Sequence, residues 1–228
     1  MLSEPRTISL ITELLHLPAV HTQEKLRKVY DEVCRRCGYE NFLRVQGGAR
    51  IERRHPEDRS FSQLNLLGDR IQLTEDHTGC TVPEFGKKIV AVLQAALPAL
   101  QIPVLLVQQN TVRITATPNS FRSASEFLAR SVFNIQPDNL QPLGRPTHVL
   151  GFRLLFPPSK AHPENSNVRI ESYMRDPKAL YIENVATFKA PIQPNDLSVV
   201  ERNLERASEF LQTNVVGFLS AYDVRSPE

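Results

Sequence analysis

The stretch FSQLNLLGDRIQLTEDHTGCTVPEFGKKIVAVLQAALPALQIPVLLVQQNTVRITAT, residues 61–117, reads as strand, helix, strand, and its reading decides the fold. From Val82, the apolar residues Phe85, Ile89, Val92, Leu93, Ala96, Leu97 and Leu100 recur at three- and four-residue steps, the period of a helix that buries one face. Thr81 is placed to cap it, with Pro83 and Glu84 in the first turn, where a missing N–H is tolerated and a negative charge favoured. Pro98 and Pro103 close it. The flanking runs, Leu64–Leu66 with Ile71–Leu73 and Val104–Val107 with Val112–Ile114, are β-rich. A helix between two such strands needs a sheet to lie on.

Working outward, Ile8–Leu17 reads as a strand ended by Pro18, and Gln23–Cys37 as a helix with Leu26, Val29, Tyr30 and Val33 on one face and Gly38 as its stop. Phe42–Arg54 and Phe61–Glu75 are expected to be single strands joined by the charged turn His55–Arg59. The order through residue 118 is then β-α-β-β-α-β, which predicts an α+β fold with a ferredoxin-like first half, two helices on a four-stranded antiparallel sheet. Residues 119–228 read α-β-β-β-α: a helix over Ser120–Phe133, a Pro-rich connector, strands near His148–Phe156, Val168–Met174 and Ala179–Phe188, and a last helix from Asp196, as cap, to about Leu219. This half either extends the first sheet or forms a second layer, as a second unit or as one domain with the first. No repeat is visible in the sequence.

The chain has 228 residues, 41% of them hydrophobic, enough for a sizeable core. No run approaches the ~20 apolar residues of a membrane-spanning helix, and Met1–Arg6 lacks the layout of a signal peptide, so a cytoplasmic location is expected. A formal charge of +2 neither demands nor excludes a nucleic-acid partner, and an odd count of three cysteines argues against a disulfide framework.

Four segments carry a family likeness: Arg113-Ile114, Glu126-Phe127-Leu128, Gly151-Phe152-Arg153-Leu154 and Tyr181-Ile182-Glu183-Asn184. In their layout, residues 61–223 resemble a sporadically distributed family of uncharacterised bacterial α+β proteins without an established reaction. The resemblance therefore implies no catalytic residues. The polar Gln108-Gln109-Asn110-Thr111 stands where that family has an aromatic, arginine-rich strand.

Three candidate sites follow from the residues themselves. Cys34, Cys37, His77 and Cys80 form two pairs with the spacing of zinc ligands, and the proposed topology brings the end of the first helix near the start of the second; ordinary buried cysteines and a redox pair are the alternatives. Arg44, Arg50, Arg53, Arg54 and Arg59, around Gly47-Gly48, can neutralise the phosphates of RNA on a sheet face, or can guard an edge strand against aggregation. Phe210, Val215 and Phe218 on the last helix either cap the sheet or meet a second subunit. No phosphate-binding loop, His-Glu-x-x-His or nucleophile-elbow motif occurs. The composite expectation is a non-enzymatic module that binds another protein or itself, as a homodimer, in a cytoplasmic complex. RNA binding is the alternative; a cofactor is not expected, with structural zinc as the exception.

Overall fold

A computed structural model of the chain describes residues 1–57, 59–145 and 147–224. The strands are β1 (Arg6–His16), β2 (Asn41–Val45), β3 (Gly48–His55), β4 (Ser60–Leu67), β5 (Arg70–Asp76), β6 (Leu105–Ala116), β7 (Gly151–Phe156), β8 (Asn165–Ser172) and β9 (Leu180–Phe188). They form one nine-stranded sheet in the order β2-β3-β4-β5-β1-β6-β9-β8-β7, with every neighbouring pair antiparallel.

This architecture replaces the expected ferredoxin-like α+β fold with its four-stranded first half. The two long strands foreseen over Phe42–Arg54 and Phe61–Glu75 are each a hairpin: β2 turns into β3 through Gln46-Gly47, and β4 into β5 through Gly68-Asp69. The physical cause of the first turn is glycine. Gly47 sits at φ 78°, where a side chain is disfavoured. A Cβ on Gly48 would lie 1.9 Å from the Leu66 carbonyl oxygen, so β3 reaches β4 only with glycine there. The sheet then runs on past residue 118, because β9 pairs with β6.

The helices are those the apolar spacing marks out, with two exceptions. Helix α1 (Gln23–Cys37) is capped by Thr22 and stopped by Gly38 in the left-handed conformation. Helix α2 (Val82–Leu100) starts on a capping box between Thr81 and Glu84; it passes through Pro98 and ends at Gln101. The helix expected over Ser120–Phe133 is only α3 (Ala124–Phe127) plus a wide π turn, Leu128–Val132. The last helix begins one step later than expected, as α4 (Ser198–Glu209) after Leu197. It passes through a π turn at Phe210–Val215 into α5 (Val216–Ser220). Asp196 accepts from the Ser198 hydroxyl (2.6 Å) rather than capping the backbone.

Helices α1 to α4 lie on the sheet face that carries Leu10, Leu14, Ile51, Leu64, Leu66, Leu73, Val112, Ile114, Val168, Ile170 and Ile182, each essentially inaccessible. Helix α1 packs on β3, α2 on β1, α4 on β6 and β9, and α3 on β8. The chain thus repeats one pattern, a strand, a helix, an antiparallel meander and a helix, on either side of the central β1–β6 pair.

Amides buried in this face hold α4. Thr12 Oγ1 donates to Asn110 Oδ1 across β1–β6 (2.8 Å). Gln108 Nε2 donates to the same oxygen (3.1 Å) and to the Val200 carbonyl (3.0 Å), and Asn203 Nδ2 returns a bond to Gln108 Oε1 (2.9 Å). Asn184 Nδ2 donates to the Ala207 carbonyl (3.0 Å), three residues before the π turn, an insertion of the kind that widens a helix locally. Replacing Asn184 with Ala removes that donor and leaves the carbonyl buried; a loss of about 1–3 kcal/mol in urea unfolding is expected, with α4 becoming more open to amide exchange than α1.

Candidate functional site

The other face of the sheet carries no described helix. Strand alternation places on it Arg50, Glu52 and Arg54 of β3, Gln63 and Asn65 of β4, Gln72 and Thr74 of β5, Glu13 of β1, Gln109, Thr111 and Arg113 of β6, Tyr181, Glu183 and Thr187 of β9, and Asn165, Asn167 and Arg169 of β8. Pairing registers align one continuous polar row across seven strands: Arg50, Asn65, Gln72, Glu13, Gln109, Thr187 and Asn165. Five of the seven bond within the row, Arg50 Nε to Asn65 Oδ1 (3.3 Å), Asn65 Nδ2 to Gln72 Oε1 (3.0 Å) and Thr187 Oγ1 to Gln109 Oε1 (3.3 Å), while Glu13 pairs with Arg70 beside it.

A second row is charged, running Arg113, Glu183, Arg169 and Arg153 over β6, β9, β8 and β7. Arg113 Nε donates to Glu183 Oε2 (2.7 Å), the Tyr181 hydroxyl donates to the same oxygen (2.9 Å), and Arg169 lies 3.6 Å from Glu183 and 3.8 Å from Glu171. The Arg169 guanidinium also covers the Tyr181 ring at 4.9 Å. Burial alone would raise the Glu183 carboxyl; the hydrogen bonds from Arg113 and Tyr181 outweigh it and hold the group below the usual carboxylate range. Burial, with the Glu183 charge adding to it, pushes the Tyr181 phenol up to about 12.

The five arginines read as an RNA patch do not share a surface. Opposite registers turn Arg44 and Arg53 to the helix side, Arg44 donating to Gln23 (3.0 Å) and Arg53 pairing with Glu40 (3.1 Å). Arg50 and Arg54 face the open side, where Arg54 pairs with Glu52 (2.8 Å), and Arg59 is in the turn before β4 at φ 59°. Across this face Arg70 pairs with Glu13 and Arg113 with Glu183, so carboxylates stand beside the guanidiniums.

The zinc candidates are divided. Cys37 and Cys80 do reach one neighbourhood, since both thiols feel the charges of Glu75 and Lys88. There, however, Lys88 Nζ already donates to Glu75 Oε1 (2.6 Å) and Ser62 Oγ (2.6 Å) and lies 4.5 Å from the centre of the Tyr39 ring, so an ammonium supplies the positive charge. His77 instead points its Nε2 towards Arg175 (3.5 Å). Among the described residues no group of three or more His, Cys, Asp or Glu side chains is arranged to hold a metal ion, and none of the described helices is long and apolar enough to cross a membrane.

On the last helix Val215 is buried, Phe210 is half-buried with its ring 5.1 Å from that of Phe156, and only Phe218 is well exposed, 5.3 Å from Tyr222. The stripe therefore serves mainly to cover the sheet. Sequence reasoning missed the polar row: its members lie on separate strands, and the nearest signal is the polar run Gln108-Gln109-Asn110-Thr111, of which only Gln109 belongs to the row.

No protein family matches the chain, and no curated protein matches it. Among solved structures the chain is similar to that of Methanococcus jannaschii TBP, at 11% identity over 90% of this chain and 99% of that one, with a TM-score of 0.37.

Two outcomes follow from the charge and thiol environments. A carboxyl held low in the fold stabilises it above the carboxyl's unfolded pKa, and that contribution is lost as pH falls through the folded value; Glu183→Gln should therefore flatten the acid limb of a thermal-melting series against pH, and an unchanged limb would show that Glu183 does not contribute. Burial, with Glu75 adding to it, pushes the Cys80 thiol up to about 11, and burial raises Cys34 and Cys37 as well. Iodoacetamide at neutral pH should alkylate all three far more slowly in the folded chain than in urea, read by intact mass.

Proposed function

We propose that this chain is a non-enzymatic binding module whose working surface is the uncovered face of the sheet, and that its partner is another protein. The observation that carries this reading is the row of seven polar side chains across seven strands, five of which hydrogen-bond to a neighbour in the row. Such a row offers donors and acceptors at the fixed spacing of neighbouring strands, about 4.8 Å, over a length that suits a macromolecule rather than a small ligand. A protein partner is favoured over RNA because Arg54, Arg70, Arg113 and Arg169 of this face stand next to Glu52, Glu13, Glu183 and Glu171. Phosphate would meet these carboxylates and gain little from displaced counterions. A cytoplasmic setting accords with three cysteines that are all unpaired.

The test uses immobilised full-length protein and extract from its own source, comparing the wild type with Gln109→Lys/Thr111→Lys on the open face and Arg44→Ala on the helix side. Specific proteins retained by the wild type and by Arg44→Ala, lost with the double lysine variant and insensitive to nuclease, are the expected result. Retention that is indifferent to the open-face change would place the binding surface elsewhere. Retention that disappears with nuclease and falls steeply with salt would favour the nucleic-acid reading.

A further inference from the structure

We propose that β7 is a self-pairing edge through which a second copy of this chain docks, joining two sheets into one. β7 ends the sheet, with β8 its one neighbour among the described residues. The Ser172 N–H donates to the Leu150 carbonyl (2.9 Å), which fixes the phase of the ladder. Because bonded and non-bonded positions alternate in an antiparallel pair, Phe152, Leu154 and Phe156 turn their backbone groups to β8, while Gly151, Arg153 and Leu155 turn theirs outward. Edge strands are usually blunted by charge, proline, a bulge or shortness. β7 has one charged residue in Gly151–Phe156, no proline and an unbroken register with β8, and it exposes Leu155 (68%) and Phe156 (38%).

What selects a second copy is self-complementarity. A two-fold axis normal to the sheet requires outward-turned residues to meet outward-turned residues and helix-side chains to meet helix-side chains. Both conditions hold when the axis passes through Leu154. Leu154 then faces its own copy, Phe152 faces the second copy's Phe156, and Arg153 exchanges backbone bonds with the second copy's Leu155. An axis through Arg153 also satisfies the ladder but sets two guanidiniums opposite each other, which like-charge pairing disfavours. In the favoured register the Phe133–Phe152 pair (5.5 Å) of one copy meets the Phe156–Phe210 pair (5.1 Å) of the other, so a single apolar row crosses the junction. The contact is isologous and closed, which limits it to a dimer.

Sedimentation velocity over a concentration series, with melting curves as the control for folding, tests this on the full chain. Wild type should move reversibly from monomer to dimer. Arg153→Pro and Leu155→Lys should keep the wild-type melting temperature and weaken association roughly tenfold or more, because each lost N–H or added charge occurs twice in a two-fold interface. Across a non-bonded pair the Cα atoms are about 4.5 Å apart, within disulfide reach. Oxidised Leu154→Cys should therefore run as a covalent dimer on a non-reducing gel, whereas Leu155→Cys and the wild type should not. A wild type that stays monomeric at high micromolar concentration, a dimer that survives both edge variants, or cross-linking of Arg153→Cys in preference to Leu154→Cys would each overturn the proposal.

Discussion

The pairing of β1 with β6 is the constraint on which the rest of the structure depends. Every other strand is reached from this pair, β5 to β2 on one side and β9 to β7 on the other. The Thr12–Asn110 hydrogen bond crosses it inside the buried face, and Gln108 carries the same network on to the Val200 carbonyl of α4. A slip of one residue would turn Asn110 and Gln108 to the open face and bring Gln109 and Thr111 inward without partners. The amides thus make the register costly to change, in a way that an all-apolar pair would not. They also fix where α4 rests, so the helix layer inherits its position from polar groups in the sheet.

Local signals account for what the sequence disclosed. The ends of α1 and α2 are set within a few residues by Thr22, Gly38, Thr81 and Glu84, and the apolar spacing between those ends is regular. Sheet order has no such local record. Phe42–Arg54 and Phe61–Glu75 each alternate well enough to pass for one strand, and Gly47-Gly48 reads equally well as a point within such a strand where a phosphate comes close. Only the 1.9 Å approach of Leu66 to a hypothetical Cβ on Gly48 shows that the pair is a turn closed against β4. The twofold strand–helix–meander–helix plan leaves no trace in the sequence for a related reason. Its halves share pairing geometry rather than residues, and α3 is four residues where α1 is fifteen.

The candidate sites divide along the same line. Cys37 and Cys80 come together because the two helix ends are close, but the chemistry of that place is set by Lys88 and Glu75, which no spacing rule connects to them. The arginines of Arg44–Arg59 form a run in sequence and separate in space, since a strand sends successive side chains to opposite faces. Read as a list they suggest a basic patch; folded, Arg53 and Arg54 each find a carboxylate, on opposite sides of β3.

The open face is therefore close to neutral over its whole width, and this shapes what it can recognise. Without a net field it gains little from long-range steering, so selectivity has to come from matching donors and acceptors at contact. Where members of the row already hydrogen-bond to one another they would lose little side-chain freedom to a partner, which lowers the entropic cost of binding. Such a row is useful in proportion to its length, and its length is set by the number of strands in register. The β1–β6 pair joins two short meanders into one nine-stranded sheet; the proposed pairing at β7 would extend the same surface by the same rule, one ladder of backbone hydrogen bonds at a time.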